Sequence, residues 1–224
     1  MAPAVPLRHD GGMAEPMTDP TVPSVSYPAA PWQMVGSLWL SLFKVKEQVD
    51  ETRPAGVYGA AFVSYEEGSP LTYSELLVAR PVNSDEHGRR VTITDIWVDS
   101  PASVAGGREL WAIPKGLCDF TFESSHTGPL SRTQWSASAE RRPIASARFT
   151  DVSRAALRLP FKGGTWQPEL PEGGGEKTAT LQGSSKALPC RGRWDFAPDG
   201  PLAWLRDARP LASARMSGFR MSFG

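Results

Sequence analysis

The 224-residue sequence predicts a single β-rich α+β domain with one short helix, and three observations support this prediction. Stretches rich in β-branched and aromatic residues recur along the chain, with turn-forming residues between them. The 21 prolines and 21 glycines are spread over the chain, which favours many turns over long helices. Hydrophobic residues make up 40% of the sequence, so a buried core is feasible.

Residues 1–26 are rich in proline, alanine and small polar residues without periodicity, so we expect a flexible leader followed by one domain at 27–224. Within that domain, β-branched or alternating segments predict strands. These segments are 27–45 (a strand or a short helix), 57–65, 74–82, 91–100, 120–124, 133–140, 145–152, 177–196 and 217–224. We expect an exposed loop at 168–177 and a short helix at 199–210.

One helix is predicted directly before residue 115. Ser100 is a good N-cap and Pro101 suits the first helical position. The Gly106-Gly107 pair weakens or ends this helix, although residues 109–111 can add a further turn. Pro114 prevents a regular helix beyond that point.

Charge and composition exclude several classes of function. The formal net charge is zero, which removes any general electrostatic reason to expect a nucleic acid or an anionic membrane as partner. No stretch approaches the ~20 apolar residues of a membrane span, and the N-terminal residues lack the pattern of a secretion signal, so we expect a cytoplasmic location. The two cysteines, Cys118 and Cys190, lack metal-ligand spacing, and we expect no metal site.

Lys115 is the strongest candidate for chemistry. It lies in GGRELWAIPKGL (106–117), flanked by apolar and turn-forming residues, and it is one of only six lysines among 24 basic residues. A lysine becomes a nucleophile only when its amine is neutral. Its reference pKa is ~10.4, and burial lowers the pKa of a lysine by up to several units. We therefore expect Lys115 to be a buried nucleophile whose pKa is lowered by its apolar surroundings.

The same segment resembles the active-site segment of the acetoacetate decarboxylase superfamily, in which a Gly-Arg-Glu run leads into a Pro-Lys pair and the lysine forms a Schiff base. YSELLVARPV (73–82) is similar to the segment that supplies the family's active-site glutamate, which maps to Glu75. The stretches 27–45 and 217–224 resemble the beginning and the last strand of the family's domain. The resemblance implies a closed or cone-shaped antiparallel β-barrel with short helices, a homo-oligomer, and a covalent lysine imine that needs no cofactor.

Three positions depart from the family's decarboxylases. The second lysine that follows the nucleophile in those enzymes is Gly116 here. Their arginine near the chain start falls on or near Gly36, and their second glutamate falls near Ala60. The amine and one carboxylate are therefore retained, whereas groups that handle a β-keto carboxylate are not.

The resemblance therefore implies an enzyme that acts on a small keto or oxo acid, or a related carbonyl compound, through Lys115. Glu75 is the expected acid/base. Aldol condensation–dehydration or a related cyclisation in specialised metabolism is favoured, and the alternatives are a β-keto acid decarboxylase and a non-catalytic small-molecule-binding protein. Arg108 either orients the lysine loop or binds a substrate carboxylate. Trp111, Trp97 and Tyr73 are candidate pocket walls, with core packing as the alternative role.

Overall fold

The computed structural model describes residues 25–84, 86–152 and 156–224, so most of the expected leader lies outside the described residues. The described chain has one helix, α1 (Pro101–Trp111), and a 3₁₀ turn at Ala203–Leu205. Its strands are β1 (Trp32–Val45), β2 (Gly56–Tyr65), β3 (Tyr73–Ser84), β4 (Gly88–Val98), β5 (Gly116–Leu117), β6 (Asp119–Thr127), β7 (Leu130–Ala139), β8 (Arg142–Asp151), β9 (Arg158–Gln167), β10 (Lys177–Pro189), β11 (Arg191–Phe196) and β12 (Arg209–Phe223). The expected mostly β fold is confirmed.

Seven strands close into a barrel in the order β3-β2-β1-β12-β10-β9-β4, and β4 pairs back onto β3. The first and last strands are neighbours, because β1 pairs with β12 from Trp32–Phe223 to Lys44–Arg209. One contact differs from the antiparallel barrel that the resemblance implies: β4 and β9 meet in parallel at Val91–Thr165. Between these two strands the chain leaves the barrel and forms three strands of a second sheet, β6, β7 and β8, before β9 returns in the direction of β4.

The second sheet has four strands in the order β11-β8-β7-β6 and packs against the outer face of the barrel. Aromatic side chains fill this interface: the rings of Phe62 and Trp135 stack at a centroid distance of 5.3 Å. Strands β1, β2 and β3 are therefore covered by apolar groups on both of their faces.

Strand β3 shows how the barrel sorts its side chains. Leu76 and Val78 point outward into the interface with the second sheet and are fully buried. Successive residues of a strand point to opposite faces. Tyr73, Glu75 and Leu77 therefore point inward, where they line a cavity. This alternation delivers a carboxylate to the inside of the barrel.

Helix α1 forms where the sequence predicts it. The Ser100 side chain accepts a hydrogen bond from the backbone N–H of Ser103, and Ala112 ends the helix in the left-handed conformation at φ 51°. The Gly106-Gly107 pair does not end the helix. Both glycines lie where the helix packs closely against other residues, and this packing stabilises the helix despite their low helix propensity. A Cβ on Gly106 would lie 2.7 Å from the Trp32 ring. The helix therefore continues to Trp111.

Two predictions about secondary structure were wrong. Strand β9 was not predicted, because Lys162, Gly163 and Gly164 interrupt its apolar pattern. A glycine suits this position, since a Cβ on Gly164 would lie 2.9 Å from the backbone carbonyl oxygen of Ala179. The segment 199–210 forms only the 3₁₀ turn, and its last residues already belong to β12. No helix among the described residues is long and apolar enough to cross a membrane.

Candidate active site

The Lys115 backbone follows α1 and is held in place by the helix. Arg108 Nη1 donates a hydrogen bond of 3.1 Å to the Lys115 carbonyl oxygen, and Arg108 Nε donates one of 2.7 Å to Glu172. The lysine side chain then runs along Gly107, where an added Cβ would lie 2.7 Å from Lys115 Cδ. The glycine in the helix therefore opens the path by which the lysine enters the barrel.

The Lys115 amine is buried and surrounded by three oxygen atoms. Its Nζ donates hydrogen bonds to Ser103 Oγ at 2.9 Å, to Glu75 Oε2 at 3.0 Å and to the Tyr73 hydroxyl at 3.4 Å. An ammonium has three protons, so these three acceptors satisfy it. Lys115 and Glu75 are thus a buried ion pair, with 5% and 4% of their side chains exposed.

A second tyrosine completes the cluster. The Tyr65 hydroxyl donates a hydrogen bond of 3.2 Å to Glu75 Oε1, and its ring lies 4.4 Å from the Tyr73 ring. Burial raises the pKa of Tyr65 well above its ordinary value, and burial likewise raises the pKa of Tyr73. Both phenols therefore stay protonated at neutral pH and can donate hydrogen bonds.

The electrostatics of Lys115 correct the prediction of a lowered pKa. Burial does push the pKa of this amine down, as expected for a cation taken out of water. The Glu75 carboxylate and the Tyr73 hydroxyl act in the opposite direction and prevail, so the pKa of Lys115 is raised. In the resting site the lysine is a paired ammonium.

The amine lies at the wall of a cavity of about 410 Å³ inside the barrel. The cavity also meets Trp111 and Ile113 from the end of α1. Most of the other lining side chains are aliphatic or aromatic. The full set of these other lining residues is Trp32, Met34, Leu38, Val63, Tyr65, Tyr73, Glu75, Leu77, Ala79, Val91, Ile93, Ile96, Phe161, Lys162, Thr165, Leu181, Met216, Phe219, Met221 and Phe223. The arrangement is a buried polar cluster at the side of an apolar cavity.

The structure brings together only some of the residues singled out in the sequence. Lys115, Glu75, Tyr73 and Trp111 all border the cavity. Arg108 does not, because its guanidinium is bonded to the Lys115 carbonyl and to Glu172 outside the barrel. The Arg108 guanidinium therefore holds the lysine loop and does not face the cavity.

Trp97 also lies outside the cavity. It belongs to the opposite face of β4 and packs against the core between the barrel and the second sheet, where it also meets Gly116. Of the two roles expected for Trp97, the structure therefore shows core packing and no place in the cavity wall. Alternation along β4 sends Ile96 to the cavity and Trp97 away from it.

The positions that depart from the family's decarboxylases place no further charge in the cavity. A side chain on Gly36 would meet the Ser64 carbonyl oxygen at 2.0 Å, because β1 and β2 approach closely there. Ala60 points into the outer core. Among the described lining residues the charged ones are Glu75, Lys115 and Lys162, and Lys162 is exposed.

Sequence reasoning missed Ser103 and Tyr65. Ser103 lies four residues before Gly107 on α1, so both belong to the helix face that Lys115 passes. That spacing was a usable signal. Tyr65 is paired with Tyr73 across β2 and β3, a register that only the folded sheet shows.

One surface group of described residues offers atoms suited to a metal ion. Possible ligand atoms of Glu86, His87 and Glu176 lie within 4.8 Å of one another. His87 Nε2 is already 3.0 Å from Glu176 Oε1, and both glutamates are exposed. None of the three lines the cavity.

Comparison with known protein families gives one match. The sequence model of the family described as acetoacetate decarboxylase (ADC) matches residues 48–169, a stretch that contains both Glu75 and Lys115. No curated protein sequence matches the chain.

Solved structures resemble the fold at low identity. The enduracididine biosynthesis enzyme MppR, complexed with the condensation product of pyruvate and imidazole 4-carboxaldehyde, has a TM-score of 0.58 at 14% identity, covering 95% of this chain and 96% of its own. Acetoacetate decarboxylase from Legionella pneumophila has a TM-score of 0.57 at 14% identity, covering 92% and 88%. An acetoacetate decarboxylase-like enzyme from Sphingomonas wittichii RW1 has a TM-score of 0.55 at 14% identity, covering 86% and 91%. At such identity the likeness establishes the fold.

Proposed function

The chain belongs to the acetoacetate decarboxylase family, and from this membership we propose that it is a Schiff-base-forming enzyme that acts on a keto or oxo acid, or a related carbonyl compound, through Lys115. One observation carries the proposal. The buried Lys115 amine lies 3.0 Å from the Glu75 carboxylate at the wall of an apolar cavity. This is an amine with a proton acceptor beside it and a space next to it that admits a small molecule.

Glu75 supplies the means to generate the nucleophile. The ion pair becomes a neutral amine and a carboxylic acid when one proton passes from Lys115 to Glu75 over their hydrogen bond. The neutral amine adds to the carbonyl carbon, and Glu75 returns the proton to the departing oxygen. Overall, the carbonyl compound and the lysine ammonium give a protonated imine and water.

From the imine, we favour aldol condensation followed by dehydration. Glu75 removes a proton from the α-carbon, and the electron pair moves toward the iminium nitrogen to form an enamine. The enamine carbon attacks an aldehyde, water leaves to form a double bond, and hydrolysis of the imine frees Lys115. The absence of further charge at Gly36, Ala60 and Gly116 supports this route over handling of a β-keto carboxylate. MppR, with its condensation product, has a similar fold.

Decarboxylation is the alternative that the same site permits. In that reaction the bond to the carboxylate breaks, its electron pair passes into the iminium, carbon dioxide leaves, and Glu75 protonates the enamine. Release of carbon dioxide from acetoacetate distinguishes this route from the aldol reaction. The family's acetoacetate decarboxylase from Legionella pneumophila has a similar fold.

Borohydride reduction tests the proposal directly. The full chain is incubated with pyruvate or with acetoacetate, reduced, and weighed intact by mass spectrometry. We expect a substrate-sized adduct in the native protein and none in Lys115→Ala. Lys44→Ala, which removes an exposed lysine, is the matched control and should retain the adduct. Absence of an adduct with every carbonyl compound tested would favour a non-catalytic binding protein.

Several finer points belong to this proposal. The enzyme would be a lyase that uses the covalent lysine imine without a cofactor, with a small-molecule carbonyl substrate as its partner. Homo-oligomerisation, a cytoplasmic location and a role in specialised metabolism stay predictions.

A further inference from the structure

We infer that the carbonyl compound bound at Lys115 carries an apolar chain or ring, and that it is larger than pyruvate or acetoacetate. This inference rests on the proposed Schiff-base function and specifies the substrate class of the same site. It depends on the volume of the cavity, on the exposure of its inward side chains, and on where its charged groups lie.

The volume exceeds what a small keto acid fills. An apolar cavity of about 150 Å³ holds benzene, a molecule of about as many non-hydrogen atoms as pyruvate. The cavity beside Lys115 measures about 410 Å³. A keto acid of three or four carbons therefore occupies less than half of it and leaves most of the chamber wall without contact.

The inward side chains border this space with apolar surface. On β3, the outward-facing Leu76 and Val78 are fully buried, whereas the inward-facing Leu77 between them is only half-buried. Ile93 and Met216 line the cavity and are half-buried in the same way. Covering apolar surface of this kind with an apolar group of a ligand lowers the free energy of the complex and so favours binding.

Charged groups are confined to the reacting end. Lys115 and Glu75 are the buried charged residues among the described lining residues, and they already neutralise each other. Lys162 also lines the cavity but is exposed. A charged group carried deep into the chamber would meet no buried partner, which is costly. An alkyl or aryl group meets leucine, isoleucine and methionine side chains instead.

Chain length in a homologous series tests the inference. The full chain is incubated with straight-chain 2-oxo acids from pyruvate upward, and with phenylpyruvate, before borohydride reduction and intact mass measurement. We expect the concentration for half-maximal trapping to fall about fourfold for each added CH₂ that is buried, until the cavity is filled. If pyruvate is trapped and its longer homologues are trapped no better, the inference is overturned and the Schiff-base function stands. If no compound is trapped, the proposed function itself fails.

Two variants locate the apolar group in the cavity. Ala79→Leu adds bulk to the lining of β3, and we expect the preference for the longest over the shortest 2-oxo acid to fall at least tenfold. Ala212→Leu makes the same change at an exposed position of β12 and should keep the native preference. Ile93→Ala instead enlarges the cavity and should move the best-trapped chain length upward. An unchanged preference in folded Ala79→Leu and Ile93→Ala would overturn the inference.

Discussion

Lys115 and Glu75 are 40 positions apart in the chain, yet their side chains meet at 3.0 Å inside the barrel. The pair changes how this lysine must be activated. Burial alone would lower the pKa of Lys115, but the carboxylate reverses that effect, so the resting amine is charged. The nucleophile must therefore arise by proton transfer within the pair, which gives Glu75 a part in forming the imine and in the steps after it.

Glu75→Gln separates these roles. The substitution leaves burial, which lowers the pKa of Lys115, and removes the carboxylate that raises it. We expect the pH for half-maximal borohydride trapping to fall by about one to three units. Turnover should fall about 100-fold or more, because a positioned acid/base is lost. Trapping is measured by intact mass, and turnover by consumption of the best-trapped carbonyl compound.

The control for this variant is Glu123→Gln, at an exposed position in the second sheet. It should match the native protein in both measurements. If trapping and turnover are both unchanged in Glu75→Gln as well, Glu75 is a structural residue and the proposed proton transfer is wrong.

At the scale of the element, α1 combines two packing requirements in adjacent glycines. Glycine in a helix interior costs about 1 kcal/mol relative to alanine, so the pair weakens the helix taken alone. In the fold, Gly106 admits the rings of Trp32 and Tyr27, and Gly107 admits the stem of Lys115. The helix tolerates the lower helix propensity of glycine because its close contacts leave no room for a side chain at these two positions.

Gly107→Ala should impair the site more than the fold. The added Cβ would lie 2.7 Å from Lys115 Cδ and 2.9 Å from Cε, so the lysine must move. A displacement of about 1 Å can cost about 100-fold in rate, and we expect imine trapping to slow by about that factor. Time courses of borohydride trapping measure the effect.

Gly106→Ala is the matched comparison in the same helix. Its Cβ meets the rings of Trp32 and Tyr27 rather than the lysine, so we expect the free energy of unfolding to fall by about 1–3 kcal/mol with a smaller loss of trapping. Equal trapping rates in the two variants would contradict the assignment of Gly107 to the lysine path.

At the scale of the whole molecule, the second sheet supports the wall that carries the site. Phe62 of β2 stacks on Trp135 of β7, and Leu76 of β3 lies in the same cluster, next in sequence to Glu75. The carboxylate is therefore positioned by a strand that is packed on both faces. We expect the barrel and the second sheet to unfold together, because separating them would expose the apolar outer face of these strands to water.

Trp135→Ala tests this coupling. Removing a buried tryptophan costs about 3–5 kcal/mol, and we expect a loss of that size in urea unfolding followed by fluorescence and circular dichroism. Both probes should report one shared transition. Leu130→Ala, at an exposed position of the same strand, should change the free energy of unfolding by less than about 0.5 kcal/mol. Two separate transitions in the native protein would show that barrel and sheet are independent.

Much of this molecule is encoded in local patterns. The Ser100-Pro101 start of the helix, the alternation of Phe219, Met221 and Phe223, and the position of Lys115 after a proline all follow from the sequence, because capping, strand periodicity and turn formation depend on near neighbours. The resemblance of residues 73–82 to a segment of the acetoacetate decarboxylase superfamily added Glu75 to the candidate site residues. These features predicted a β-rich fold, which is confirmed, and they singled out Lys115 and Glu75, which meet in the candidate site.

The tertiary structure alone decided the rest. The closure of the barrel, the parallel contact of β4 with β9, the contribution of Ser103 and Tyr65, and the placement of Trp97 outside the cavity depend on register between distant strands. The charge of Lys115 is the clearest case. Its apolar sequence neighbours predict a lowered pKa, whereas the raised pKa comes from a carboxylate that is far away in the chain and close in space, and electrostatic energy depends on distance in space.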